Sequence, residues 1–170
     1  MDKVVLELQK EPVGIDHIRR ACPNAKVMLY DKIPPTGATY NNLTRGRKCL
    51  IVLYQMHDRG KASDQTGHYA LIQREGSKML YFSSYGFGAE QEIAATHSSG
   101  RLMSILGKHY VRNTQRLQKR MHTATCGRWC ILKARLHDVP MKMFNQIFGQ
   151  RRVSLDPDSI ACIATMFLVG

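Results

Sequence analysis

The chain has 170 residues, the ordinary size of one domain, and a domain of that size buries about 70% of the surface its unfolded form exposes. Twenty-five Lys and Arg against thirteen Asp and Glu leave a formal charge of +12, enough to attract a polyanion through counterion release. No run of about 18 apolar residues could span a bilayer, the start MDKVVLELQK lacks the apolar core of a secretory signal, and five cysteines are too few, and odd in number, for a disulfide scaffold. These features predict a soluble intracellular protein with free thiols.

Val4, Val5, Leu6 and Leu8 alternate with charged residues before Pro12, and Gly14 to Arg20 reads as a short helix stopped near Pro23; both are expected to be scaffold. KVMLY (26–30) is a strand candidate. The loop after it, with Pro34, Pro35, Gly37, Asn41 and Asn42, favours turns over any regular element and could line a cleft. CLIVLYQ (49–55) is a continuous apolar, β-branched run suited to a central strand. HYALIQR (68–74) and KMLYFSS (78–84), joined through Glu75, Gly76 and Ser77, form a hairpin.

From Ala89 to Leu106 the spacing of Ile93, Leu102, Met103, Ile105 and Leu106 is helical, with a break at Ser98, Ser99 and Gly100. Tyr110 and Val111 begin a further short strand. Three helices follow: one from Cys126 to His137, one over MKMFNQIFG after Pro140, and one opened by Asp156 and Pro157 and running through Ile160, Ile163, Met166 and Phe167. No repeat, low-complexity stretch or linker divides the chain. Residues 1–170 therefore read as a single α+β domain with a central, mostly antiparallel sheet flanked by helices.

Thr125, Cys126 and Gly127 stand just before an amphipathic helix, which places Cys126 at a helix N-terminus. There the backbone dipole lowers a thiol pKa, and the first N–H groups point at a developing oxyanion. His68 opens a strand directly after Gly67, at the edge of a polar loop, where a sheet can present an imidazole to a nucleophile from a distant helix. His17, His57, His97, His109, His122 and His137 lack this placement and read as surface or helix-face residues. Zinc held by His122, Cys126, Cys130 and His137 is disfavoured, because at 3.6 residues per turn His137 lies about 60° or more round from the Cys126 stripe. A non-enzymatic nucleic-acid binder is the other class, motivated by charge and by short clusters at Arg45 to Lys48, Arg116 to Arg120 and Arg151 to Arg152. The aromatics, however, do not interleave with Lys and Arg as a stacking platform would.

Four strings, Gly67 to Tyr69, Tyr81 to Phe87, Asn113 to Gln118 and Thr125 to Cys130, occur in an order and at separations similar to those of the adenain-like cysteine proteases. This is the group of the adenovirus proteinase and its relatives in virophages, Polinton-like elements and large DNA viruses, with SUMO proteases as distant kin. The resemblance covers about Cys49 to His137. It implies a papain-like fold with permuted order, with Cys126 as nucleophile, His68 as its base and Gln118 as oxyanion-hole donor; Gln115, three positions earlier, is the rival for the last role. Where the family has Asp, Asn or Glu to orient the histidine, this chain has Ser83. The third member stays open between Ser83, Ser84 after a shift of one residue, and a dyad assisted by water. Trp129 and Cys130 read as packing residues first, with Trp129 lining the cleft as the second reading.

The resemblance further implies cleavage of capsid or other virion proteins next to small, glycine-type residues, in a viral factory, virion or host cytoplasm. Trimming of ubiquitin-like modifiers is the alternative within the enzyme class. No cofactor is expected for the chemistry and no membrane partner; DNA enters as candidate activator and as a non-specific ligand of the basic surface.

Overall fold

In the computed structural model, residues 3–58, 61–119, 123–149 and 155–169 are described, with 56–58 and 61–66 described by backbone alone. Five strands form one mixed sheet in the order β1-β2-β3-β4-β5: β1 (Ala25–Leu29), β2 (Cys49–Asp58), β3 (Lys61–Glu75), β4 (Lys78–Ser83) and β5 (Val111–Arg112). The long β2/β3 and β3/β4 ladders are antiparallel, while both edges, β1 on β2 and β5 on β4, are parallel. The sheet is thus antiparallel only through its middle. Parallel neighbours need long crossovers, and these supply short helices: α3 (Tyr40–Thr44) between β1 and β2, and α4 (Ala89–Ala95) and α5 (Met103–Leu106) between β4 and β5.

The apolar runs are continuous because both faces are covered. Cys49, Ile51 and Leu53 of β2 join Tyr69 and Leu71 of β3 in one core, whereas Leu50, Val52 and Tyr54 join Ala70 and Ile72 in the other. Helices α2 (Ile15–Ala21), α6 (Cys126–Arg135), α7 (Met141–Gly149) and α8 (Pro157–Val169) close the first face, and α1 (Lys3–Lys10) leans on α8. Gly76, in the left-handed region at φ 62°, makes the tight β3–β4 turn that pairs Glu75 with Lys78.

Helix ends are tied to the sheet by side chains. Glu75, at the end of β3, accepts from the Met141 N–H at 3.2 Å and so caps α7. The fully buried Lys133 donates to the Leu136 and Val139 carbonyls at 3.3 and 2.8 Å, where α6 ends. Asp156 caps α8 by accepting from the Ser159 N–H at 3.1 Å, with Pro157 as its first residue.

Three readings of the sequence are corrected. His68 does not open a strand: β3 begins at Lys61, and His68 lies within it, paired with Tyr54 of β2. Asn41 and Asn42 lie in a helix, short but capped, because the Thr39 side chain accepts from the Asn42 N–H at 3.2 Å and Arg45 ends the helix in the left-handed region at φ 49°. The loop before it lines a cavity of about 370 Å³ with Pro34, Thr36 and Gly37, and the helix lines another of about 450 Å³, between Tyr40, Arg47, Arg74 and His137. The larger cavity lies beside Gln73, roughly 16 Å along β3 from His68. On α8 the expected apolar stripe points outward: Phe167 is 91% exposed and Ile163 39%, while Asp158, Ser159, Ala161, Cys162 and Thr165 face inward.

Candidate active site

Gly67 and His68 lie in β3, opposite Gln55 and Tyr54 of β2. A Cβ at Gly67 would stand 2.0 Å from the Tyr54 carbonyl oxygen, so only glycine lets the strands pass at this point. His68 follows with its side chain buried. Cys126 is the first residue of α6, Thr125 preceding it as the cap, so the expected helix N-terminus is where the thiol lies. Gly127 permits close packing here, since a Cβ would meet Val13, Ile18 and Tyr69 atoms at 3.3 Å.

The two nitrogens of the His68 ring have different company. Nε2 lies 3.1 Å from both Ser83 Oγ and Glu92 Oε1, and Ser83 Oγ donates to the same Glu92 oxygen at 2.7 Å. Nδ1 is buried with no hydrogen-bond partner and, with Nε2 taken, is the nitrogen left for the Cys126 thiol, which interacts with the ring. The thiol itself lies 4.0 Å from the Gly67 carbonyl oxygen. Tyr85 stacks on the imidazole with ring centroids 4.7 Å apart.

Burial alone would lower the imidazole, but hydrogen bonds and charge from Cys126 and Glu92 outweigh it and push His68 up to about 9. Burial alone would raise the Cys126 thiol; His68, with the N–H groups of Tyr69 and Gly127, brings it below its ordinary value instead. The other four cysteines, all buried, go the opposite way: burial pushes Cys22 and Cys162 up to about 11, Cys49 up to about 12, and Cys130 well above the usual range.

Ser83 and Ser84 are told apart by their partners. Ser83 meets His68; the Ser84 hydroxyl donates to Gln118 Oε1 at 2.8 Å, and its carbonyl accepts from the N–H groups of Leu117 and Gln118, both at 2.9 Å. Asn113 clamps the end of β4, its amide exchanging hydrogen bonds of 2.9 and 2.7 Å with the Ser83 N–H and C=O. The amide nitrogen of buried Gln118 donates to the Thr123 carbonyl at 2.6 Å and to Tyr85 Oη at 3.1 Å, so both of its hydrogens are committed. The Gln115 side chain leans toward Gly149 of α7.

Two buried carboxylates organise the site, and neither was singled out in the sequence. Glu92 stands on the inward face of α4 with Ala89 and Thr96, and its signal was a charge at an i, i+3, i+7 core position. Asp158, in the first turn of α8, accepts from Thr125 Oγ1 at 2.6 Å, Trp129 Nε1 at 3.2 Å and the Lys119 N–H at 3.2 Å. It thereby ties the start of α6 to the loop carrying Gln118. Trp129 is fully buried in the core, not in a cleft.

Among the described residues no three His, Cys, Asp or Glu side chains converge to hold a metal ion. His122, Arg120, Arg151 and Arg152 lie outside the described residues, as does the side chain of His57. Also among them, no helix is long and apolar enough to cross a membrane. No protein-family model matches the chain, and no curated protein matches it.

Proposed function

We propose that the chain is a cysteine endopeptidase in which Cys126 is the nucleophile and His68 its proton acceptor and donor. The observation that carries this reading is selective activation. Of five buried thiols, only the one at a helix N-terminus, beside a buried imidazole, is shifted toward thiolate. A helix bearing the thiol, packed against a sheet bearing the base, is also the arrangement a papain-like fold requires.

In this reading Cys126 Sγ attacks the scissile carbonyl carbon, and the developing oxyanion is met by N–H groups at the start of α6. His68 gives its proton to the leaving amine nitrogen, the C–N bond breaks, and a thioester remains. His68 then takes a proton from water, whose oxygen attacks the thioester carbonyl, and the C–S bond breaks to return the thiolate. For Gln118 to join as a donor it exchanges its bond to Tyr85 or Thr123 for one to the oxyanion. Tyr85 lies against both the imidazole and Gln118, so it stands where the two halves of that chemistry meet.

The resemblance to adenain-like proteases extends the proposal to virion proteins cut beside small residues, with duplex DNA drawn to the +12 chain. The test is sub-stoichiometric alkylation near neutral pH with the modified site mapped by mass spectrometry. Preferential labelling of Cys126, lost in a folded His68→Ala variant, is expected; labelling of Cys126 no faster than the other four thiols would overturn the reading. Cleavage of Gly-containing peptides in place of ubiquitin-like conjugates separates the endopeptidase from a deconjugase.

A further inference from the structure

The acid that serves the imidazole has an unexpected source, and its role follows from a count of protons; the inference rests on the reading of Cys126 and His68 above. Glu92 is 3% exposed, and among the described residues no Lys or Arg pairs with it. A carboxylate is retained in such a place only when it is paired and hydrogen-bonded. Its partners are His68 Nε2 at 3.1 Å and the Ser83 hydroxyl at 2.7 Å.

An ionised carboxylate only accepts hydrogen bonds, and a serine hydroxyl has one hydrogen to give. That hydrogen goes to Glu92, so Ser83 Oγ meets its other neighbours, His68 Nε2 at 3.1 Å and the Tyr85 N–H at 3.3 Å, as an acceptor. Both groups facing Nε2 are then acceptors, and Nε2 carries the ring proton. Nδ1 is left as the basic nitrogen and, with Nε2 occupied, as the one free to receive the Cys126 proton.

We propose that Glu92, with Ser83 as its hydroxyl bridge, is the positioning acid of this site: it holds His68 as the Nε2–H tautomer, stabilises the imidazolium, and reaches the ring from helix α4. The strand position next to the ring can then be a serine, because the charge arrives from another element. The other titratable groups packed around the pair do not compete with it. Cys126 faces the ring from α6, while Tyr54 and Tyr81 from the sheet, Tyr85 from the loop after β4 and Cys130 from α6 are all pushed up by burial and stay neutral. The acid is as well placed as α4 is docked. That helix is held to β5 and its approach by Tyr110, whose hydroxyl accepts from the Ala89 N–H at 3.0 Å, and by Arg112, which donates to Gln91 at 3.0 Å.

Iodoacetamide labelling of Cys126 against pH tests the role. Glu92→Gln, whose amide can present N–H to Nε2 and favour the other tautomer, is expected to move the labelling profile to higher pH by about one unit, a tenfold loss of rate on its acid limb. Ser83→Asp combined with Glu92→Gln is expected to recover most of that loss by returning an acid to the strand. A Glu92→Gln profile that superimposes on the wild type, in a protein whose Cys126 is labelled preferentially and in a His68-dependent way, overturns the role of Glu92 and leaves the nucleophile reading intact. Nitrogen NMR of His68 in Cys126→Ala decides the same point without touching Glu92. A neutral ring protonated at Nε2 supports the proposal and one protonated at Nδ1 overturns it, even where the wild-type thiol proves unreactive or Glu92→Gln does not fold.

Discussion

The two faces of the sheet are built from different chemistry, and the candidate site lies where they meet. Beneath α6 the core is aliphatic, sulfur-bearing and aromatic, with Ile51, Leu53, Leu71, Phe82, Trp129 and Phe144. Beneath α4 and α5 it is rich in tyrosine: Tyr30 stacks on Tyr54 at 4.5 Å, and the Tyr81 hydroxyl donates to that of Tyr54 at 3.2 Å. By strand alternation His68 points with Ala70 and Ile72 toward the tyrosine face, where Ser83 and Glu92 wait. Cys126 comes from the other face. A core furnished with hydroxyls can house a carboxylate because its polar atoms find partners; an apolar core pushes thiols toward the neutral form. The reactive pair joins one group from each environment.

The largest effect should come from cutting that junction. Cys126→Ala or His68→Ala is expected to reduce peptide hydrolysis on the order of 10⁴-fold with the fold retained, measured by single-turnover cleavage and circular dichroism. The intact pair also sets a pH window. His68 is raised to about 9, so the imidazolium is held below that value and lost above it; Cys126 is lowered, so the thiolate is lost only at lower pH. Hydrolysis, which needs imidazolium as acid, should therefore fall as pH rises through about 9, while alkylation, which needs only thiolate, should not.

Next in size, Asp158→Ala leaves Thr125, Trp129 and the Lys119 N–H without their shared acceptor beneath the nucleophile helix. A loss of about 3 kcal/mol in urea unfolding is expected, with slower Cys126 labelling. On the opposite face Tyr54→Phe strands a single buried hydroxyl, that of Tyr81, and should cost about 1–2 kcal/mol by the same measurement. Equal losses at the two sites would remove the contrast drawn between the faces. The smallest effect belongs to Phe167→Ser: with that ring 91% exposed, the change in stability is expected to stay within about 0.5 kcal/mol.

Much of the scaffold was legible in the chain. The run from Cys49 to Gln55 reads as a strand covered on both faces because its residues are apolar at odd and even positions alike, and the Glu75 to Lys78 turn announces its hairpin through Gly76. The helix after Thr125 was likewise evident. The periodicity of α8 misled, because Ile160, Ile163, Met166 and Phe167 form a regular stripe, yet the helix turns its small and polar side toward α1, α2 and α6. Close helix packing and the hydrogen bonds of Asp158 and Ser159 outweigh the burial of a few larger side chains there.

By itself the amino-acid sequence determined what depends on neighbours in the chain: most strand and helix positions, the glycine-made turn and a cysteine at a helix start. Only the tertiary structure decided what depends on distant groups. It chose Ser83 over Ser84 as the histidine's neighbour, committed the Gln118 amide, made Asp158 a buried anchor and brought Glu92 to the ring. The physical reason is that a charged side chain on a short helix has the same local pattern whether water or an imidazole receives it. Burial and pairing separate the two, and both arise only when the faces of the sheet are closed.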